Sequence, residues 1–177
     1  MRFLILALII CSFTWTINAD GDLRKPSKQS FKIGKDFKIW DRYYTKNGYY
    51  IAVIEFSHPW DWFMIGWGIT DTIIDSWVFR IDTDHIVTAT DSYWPEDKDR
   101  PSSDAKLGGT DDLELLGYLV EDDKTTVKIR RKLRTGDKYD KALKKADSVI
   151  YWAFSEQPPG EADFAPGGLQ RGRVVRR

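Results

Sequence analysis

Regular alternation of apolar and polar residues in the last third of the chain limits its fold more than any other feature. Two alternating runs, Leu113–Val120 and Thr125–Leu133, are separated by the polar turn Glu121–Lys124. A tight turn at Thr135–Asp137 and a lysine-rich connection follow, and a third apolar run closes the segment at Val149–Phe154. A period of two is typical of strands that bury one face, and short polar turns favour antiparallel pairing.

The same pattern recurs upstream and predicts an all-β fold. β-branched and aromatic residues are concentrated in runs bounded by turn residues, which are Phe31–Trp40, Tyr49–Ser57, Trp62–Gly68, Thr72–Ile81 and His85–Ala89. Composition favours one short helix, at Lys138–Ala146. We therefore predict an antiparallel, immunoglobulin-like β-sandwich of about eight to ten strands with one short helix at most. Asp91–Thr110, rich in proline, glycine and charge, is predicted to be a long surface loop.

The two ends of the chain differ in composition from its middle. Arg2, the apolar run Phe3–Phe13 and the small residue Ala19 are typical of a secretory signal peptide, and the run is shorter than the ~20 apolar residues of a membrane span. We therefore predict secretion without stable membrane insertion. The predicted segments are a signal peptide at 1–19, a flexible lead-in at 20–30, the sandwich at 31–156 and a Pro/Gly-rich basic tail at 157–177.

Charge and cysteine content argue against several function classes. The 27 Lys and Arg residues balance 27 Asp and Glu residues, so we expect no general attraction to nucleic acid or anionic lipid. The single cysteine, Cys11, lies in the predicted signal peptide, which leaves no thiol for a disulfide, a nucleophile or a metal. No serine-hydrolase, zinc-protease or phosphate-loop motif occurs, and no pair of acids indicates glycoside hydrolysis. The chain is therefore expected to bind rather than to catalyse.

The order of short motifs resembles that of the DOMON family, a secreted β-sandwich module found beside copper monooxygenase domains, as in dopamine beta-monooxygenase, and beside b-type cytochrome domains. The resemblance covers about Tyr49–Phe154, and the ordered set is more specific than any single motif. The motifs are Trp62–Gly66, Asp71–Ile74, Asp91–Tyr93, Asp112–Leu116, Arg131–Asp140 and Val149–Ala153. The resemblance implies the sandwich fold and a ligand pocket, while one fold can carry many different sites.

The resemblance also raises b-type haem as a cofactor, since haem-binding members use a methionine and a histidine as axial ligands. The loop that carries the family's methionine, here Trp67–Thr70, has none, and the segment that would carry its histidine, Phe164–Gly172, has no histidine. Met64, which is expected to pack in the core, and His85 are the remaining candidates. We therefore expect no cofactor and keep an extracellular b-type haem electron-transfer domain as the alternative.

Acidic residues near turns provide weak candidates for a metal site. Asp82, Asp84 and His85 could offer oxygen and nitrogen ligands, but they lack the glycine and distal glutamate of an EF-hand, so a turn is the favoured interpretation. Asp97, Asp99 and Asp104 in the long loop could likewise hold calcium weakly, whereas a solvated loop is the default. The sequence predicts no firm metal site.

Aromatic residues are the main candidates for ligand contacts. Seven of the eight tryptophans follow the predicted signal peptide, and most are expected to lie in the core. The candidate ligand site combines the tryptophans nearest the pocket implied by the resemblance with two aspartates that could accept hydroxyl hydrogen bonds: Trp60, Trp62, Trp67, Trp94, Asp71 and Asp91. The sequence thus predicts a secreted, non-catalytic module that binds a carbohydrate or other small ligand. A second alternative is an accessory module for a monooxygenase-like or redox protein partner.

Overall fold

Two antiparallel sheets form the part of the chain that the computed structural model describes, residues 22–28, 30–33, 37–57, 62–69, 74–98, 100–144, 149–155 and 169–175. The strands are β1 Phe31–Ile33, β2 Phe37–Tyr44, β3 Tyr49–Ser57, β4 Trp62–Gly68, β5 Ile74–Ile81, β6 Val87–Trp94, β7 Ser102–Ser103, β8 Glu114–Glu121, β9 Lys124–Lys132, β10 Val149–Ser155 and β11 Leu169–Val175. A 3₁₀ helix, Asp104–Leu107, follows β7. The predicted signal peptide lies outside the described residues.

The five-stranded sheet has the order β1-β2-β3-β9-β8, and the six-stranded sheet has the order β11-β10-β4-β5-β6-β7. Neighbouring strands pair antiparallel, and the long β8–β9 hairpin turns at Glu121 and Lys124 as the alternating pattern predicts. The predicted all-β sandwich is therefore confirmed, although the described residues hold one strand more than the expected range.

Side chains from the facing sides of the two sheets fill the core. Alternate residues of β3 turn inward, from Tyr50 to Phe56. Phe63 of β4 stacks on Phe79 of β5 with ring centroids 4.5 Å apart. A fully buried aromatic or aliphatic side chain contributes roughly 1.5–3 kcal/mol relative to an exposed one. Aromatic packing thus supplies the stability that disulfides supply in many secreted domains.

The structure departs from the sequence prediction in two connecting segments. Residues 138–144 of the predicted helix Lys138–Ala146 are turns and irregular chain, because Asp140 and Lys141 turn inward to bond buried groups on the strands. The predicted surface loop Asp91–Thr110 instead contains the end of β6, the short strand β7 and the 3₁₀ helix. Both differences reflect contacts between residues distant in sequence.

The segment 157–177, predicted to be a tail, contains the strand β11. This strand pairs with β10 from Leu169 opposite Ser155 to Val175 opposite Val149. It therefore extends the six-stranded sheet. Within the described residues, no helix is long and apolar enough to cross a membrane.

Candidate functional site

One end of the sandwich interior holds a buried cluster of charged residues centred on Arg131. On β9 this residue continues the row of Val127 and Ile129, whose side chains lie in the core. The Arg131 side chain is 0% exposed, and its guanidinium carbon lies 5.4 Å from the centre of the Trp77 ring. A charge in such a place requires partners that replace its lost water.

Aspartates from the opposite sheet and from the loop after β9 surround the Arg131 guanidinium. Nη1 and Nη2 donate to Oδ1 and Oδ2 of Asp75, each at 2.9 Å. Nη1 also donates to Oδ1 of Asp91 at 3.4 Å and to Oδ1 of Asp140 at 2.9 Å. Nη2 donates to the Lys141 carbonyl at 2.8 Å, and the Lys141 N–H donates to Asp75 Oδ2 at 2.7 Å. The cluster therefore joins the two sheets and positions the loop after β9.

Acids outnumber the arginine in this cluster. Burial raises the pKa of Asp91 to about 9, of Asp104 to about 8 and of Asp140 to about 6. Burial likewise raises the pKa of Asp75, against the opposing attraction of Arg131. Within the described chain, neither carboxylate oxygen of Asp104 has a hydrogen-bond partner. The protonated forms of Asp91 and Asp104 are therefore favoured at neutral pH.

Three of these aspartates also meet the spacing of a metal site. One carboxylate oxygen each from Asp75, Asp91 and Asp140 lies within 4.8 Å of the others. However, Nη1 of Arg131 already donates to an oxygen of each, at 2.9 to 3.4 Å. The guanidinium thus occupies the place a cation would take, and we assign the cluster a structural role.

A cavity of about 510 Å³ lies on the outer face of the six-stranded sheet, away from the core. Val78 and Arg80 of β5 and Thr90 and Ser92 of β6 line it from the sheet, where the register sets Val78 opposite Thr90. Strand alternation explains this arrangement, because successive side chains of a strand point to opposite faces of the sheet. Asp75 and Asp91 turn to the core, so the cavity residues, which are an odd number of positions away from them, turn outward.

The segment after β6 and the 3₁₀ helix that follows it form the other side of the cavity, through Arg100, Ser102, Ser103 and Lys106. Its position is fixed by local contacts at both ends. The Trp94 indole N–H donates to the Lys98 carbonyl at 2.9 Å. The Tyr139 hydroxyl donates to the Leu107 carbonyl at 2.8 Å. A cavity that combines three cationic side chains with four hydroxyls can bind a polar ligand through hydrogen bonds and charge.

The structure places the predicted ligand tryptophans in apolar surroundings. Trp67 lies in the core between the sheets and is 1% exposed. Trp62 and Trp94 belong to a smaller apolar cluster and are 1% and 7% exposed. Such rings leave no open face on which a surface ligand could stack.

The structure describes one of the three remaining predicted ligand residues, Asp91. Asp91 is buried beside Arg131 and belongs to the charged cluster. Trp60 and Asp71 lie outside the described residues.

The haem candidates Met64 and His85 lie in different surroundings. Met64 is 1% exposed in the apolar cluster with Trp62 and Trp94, and in the sheet it lies opposite Val78. It therefore packs among apolar side chains, as expected for a buried thioether. His85 is exposed in the turn after β5. His58 lies outside the described residues.

The metal candidates Asp82, Asp84 and His85 form the turn between β5 and β6. Asp82 Oδ1 accepts hydrogen bonds from the N–H groups of Asp84 at 3.0 Å and Ile86 at 2.8 Å. His85 has a φ of 62°, the left-handed conformation that such turns require. The Asp82 carboxylate is therefore used to hold the turn, as aspartates commonly do.

The sequence prediction missed most residues of the charged cluster around Arg131 and of the cavity on the six-stranded sheet. Asp75 and Arg131 carried a signal, because each is a charge at an inward position of an apolar alternating run. Arg80, Arg100 and Lys106 carried none, since each alone resembles an ordinary solvated charge and they converge only in the folded sheet.

Comparison with known proteins supports the fold. The sequence model of the DOMON domain family matches residues 41–155. The cytochrome domain of Myriococcum thermophilum cellobiose dehydrogenase is similar in structure, with a TM-score of 0.58 and 11% identity over 84% of this chain and 81% of that chain. The cytochrome b domain of Coprinopsis cinerea pyranose dehydrogenase gives a TM-score of 0.52 and 14% identity over 82% of this chain and 80% of that chain. No curated protein matches the chain. At these identities the structural similarity concerns the fold.

Proposed function

Since this chain belongs to the DOMON domain family, we propose that it is a secreted, non-catalytic module that binds a carbohydrate or a similar hydroxyl-rich small ligand in the cavity on the six-stranded sheet. The observation that carries the proposal is the cavity itself. Its volume of about 510 Å³ lies within the roughly 300–1,000 Å³ range of small-molecule sites.

The chemistry of the cavity suits a ligand with many hydroxyl groups. Thr90, Ser102 and Ser103 provide hydroxyls that can both donate and accept hydrogen bonds, while the Ser92 hydroxyl, which donates to the Thr90 carbonyl at 3.5 Å, can still accept one. The cationic side chains add donors only. The sequence predicts ligand contacts by aromatic stacking, whereas in this cavity the ligand would be held mainly by hydrogen bonds.

The floor of the cavity is rigid, because it consists of paired strands. Thr90 lies opposite Val78, and Ser92 lies opposite Ser76 across β5 and β6. The Ser76 hydroxyl donates to the Ser92 carbonyl at 3.0 Å. Polar groups on strands hold their positions better than groups on mobile loops, which lowers the entropic cost of binding.

A binding role also agrees with the side chains around the cavity. Among its described lining residues, none is an aspartate, a glutamate or a histidine. Hydrolysis of a glycosidic bond requires two carboxyl groups on either side of that bond. The lining supplies contacts for a sugar without such a pair.

The proposal is tested by filling the cavity. We expect Thr90→Trp to abolish saccharide binding measured by isothermal titration calorimetry, because an indole would occupy the space above β6. Thr45→Trp is the matched control, since Thr45 is exposed in the turn between β2 and β3 of the other sheet and does not line the cavity. Equal binding by both variants and the wild type would place the ligand elsewhere.

A b-type haem electron-transfer domain is the second candidate, and the structural similarity to two cytochrome domains favours it. A visible absorption spectrum of the purified protein separates the two functions. The binding module is expected to show no Soret band after incubation with haem, whereas a Soret band that shifts on reduction would support the cytochrome.

A further inference from the structure

We propose that the outer face of the five-stranded sheet is a docking site for an extended peptide of a partner protein, and that residues 22–28 of this chain occupy the site in the free protein. We call these residues, which precede β1, the strap. The saccharide cavity lies on the other sheet, so this inference goes beyond the function proposed above and does not depend on it.

The outer face of this sheet carries apolar side chains that are buried outside the core. Trp40 is 5% exposed and Val53 is 0% exposed, and neither belongs to the two apolar clusters. Trp40 lies opposite Val53, and Val53 lies opposite Lys128, so the three form one row across β2, β3 and β9. Ile39 and Ile54, their neighbours in sequence, pack in the core. Strand alternation therefore turns the row outward, and another segment must cover it.

The strap contacts both ends of this row through charged groups. Lys25 Nζ lies 3.6 Å from the centre of the Trp40 ring and 3.8 Å from Glu55 Oε2. The Asp22 carbonyl accepts a hydrogen bond of 2.5 Å from Lys128 Nζ, and the Asp22 carboxylate lies 3.8 Å from the same nitrogen. The strap thus has one anchor over β2 and β3 and a second anchor over β9.

An extended chain fits the distance between these anchors. A single strand, β3, separates β9 from β2, and neighbouring strands lie about 4.8 Å apart, so the anchors are about 10 Å apart across the sheet. The three residues from Asp22 to Lys25 span at most about 10 Å. The strap therefore crosses the strands in extended form, and the chain continues in the same direction to β1 at the edge of the sheet.

The contacts of the strap define the peptide that fits the face. A lysine is needed to lie over the Trp40 ring, since an indole attracts a cation more strongly than other aromatic rings do. An acidic residue three positions earlier is needed for Lys128. A proline after the lysine, as Pro26 follows Lys25, favours the extended conformation of the lysine. We therefore expect the partner to present an exposed segment with an acid, two further residues, a lysine and a proline.

The strap is held weakly enough for a partner to displace it. The side chains of Asp22 and Lys25 are 51% and 45% exposed, and exposed ion pairs contribute little to stability. The main advantage of the strap is its attachment to the same chain, which gives it an effective concentration of roughly millimolar. A second copy of this chain offers the same contacts without that advantage. A partner segment with additional contacts is therefore favoured over self-association.

Peptide titration followed by NMR tests the inference. The probe is a synthetic peptide of residues 20–30, added to the full chain without its predicted signal peptide and to the Lys25→Ala variant of that chain. The Trp40 indole resonance, assigned through Trp40→Phe, reports binding at the face. We expect the peptide to bind the Lys25→Ala chain about tenfold more tightly than the wild-type chain, because the weakened strap competes less.

Variant peptides identify the contacts that the face recognises. With the Lys25→Ala chain, a peptide carrying Lys25→Ala is expected to bind about tenfold more weakly than the wild-type peptide. A peptide carrying Lys28→Ala is the matched control and should bind as the wild-type peptide does, since Lys28 is an exposed lysine of the same segment. A peptide that keeps only Asp22, Lys25 and Pro26 among alanines should also bind at the same position. Circular dichroism confirms that each protein variant is folded.

Each outcome decides for or against the docking site. Absence of any shift of the Trp40 resonance in both chains would overturn the inference, and so would equal affinity for the Lys25→Ala and Lys28→Ala peptides. A wild-type chain that sediments as a dimer at micromolar concentration, and becomes monomeric when the free peptide is added, would show that a second copy is the occupant and would overturn the assignment to a partner protein. Saccharide binding does not enter any of these outcomes, so the proposed function stands or fails separately.

Discussion

Replacing Arg131 by methionine is expected to destabilise the protein strongly. Methionine has a similar length and is apolar, so it can fill much of the space between Trp77 and the sheet. It removes five hydrogen bonds, which join the guanidinium to Asp75, Asp91, Asp140 and the Lys141 carbonyl. The aspartates then face one another without their buried counter-charge.

The size of the effect follows from burial. The side chains of Arg131 and Asp75 are both 0% exposed, and removing one partner of a buried ion pair costs about 3–5 kcal/mol. For a domain of this size each kcal/mol lowers the melting temperature by about 2–4 °C, so the expected decrease is about 6–20 °C at pH 7. The neighbouring residue provides the control. Arg130 pairs with Glu114 at the surface with side chains 36% and 51% exposed, and such pairs contribute about 0.2–1 kcal/mol.

Thermal unfolding of Arg131→Met, Arg130→Met and the wild type, followed by circular dichroism, measures the difference. Tryptophan fluorescence during urea unfolding gives an independent value, because the buried Trp77 ring lies 4.4 Å from that of Trp67. Lower pH should reduce the defect in Arg131→Met, since protonation removes the repulsion among the aspartates. If Arg131→Met melts within a few degrees of Arg130→Met at pH 7, the cluster does not hold the two sheets together.

Two further changes test other parts of the fold. The folded-state pKa values of Asp91 and Asp104, about 9 and about 8, lie above the ordinary value of 3.8, so their contribution to stability is full below pH ~3.8 and is lost as pH rises through those folded values. Urea unfolding should therefore show a free energy of unfolding that falls from pH 5 to pH 9. Asp104→Asn should make this fall smaller, and at pH 9 the variant should be more stable than the wild type. A steeper fall in the variant would contradict the raised pKa of Asp104. Gly66→Ala should cost about 1–3 kcal/mol, because its Cβ would lie 2.5 Å from Ile74 Cγ2 and 2.6 Å from the Asp75 carbonyl oxygen, and an unchanged urea midpoint would show that β5 can move aside.

The strands could be predicted because alternation is a local property. Tyr49–Ser57 and Trp62–Gly68 have the same bounds in the sequence prediction and in the structure. The predicted helix at Lys138–Ala146 is wrong over its described residues because lysine and alanine favour a helix only where nothing stronger competes. Here Asp140 bonds the buried Arg131, and the sequence does not show that this arginine lies within reach.

The candidate site was harder to predict than the fold. A tryptophan in the sequence is compatible both with ligand stacking and with core packing. In the structure Trp62 and Trp67 are buried, so both contribute to packing. The cations of the cavity lie at positions 80, 100 and 106, separated by turns whose path sequence alone does not fix. Their convergence depends on the pairing of β6 with β7, a strand of two residues too short for a periodic signal.

The two features of this protein are linked through β5 and β6. Asp91 and Ser92 are consecutive, and Asp91 contacts Arg131 on the core side while Ser92 lines the cavity on the outer side. Asp75 in the same way anchors the strand that carries Arg80. A rigid floor lowers the entropic cost of ordering the site when a ligand binds, so the buried ion pairs would support binding without touching the ligand. On this argument the charged cluster, which resembles a metal site in its spacing, contributes to function by holding in place the strands on which the cavity is built.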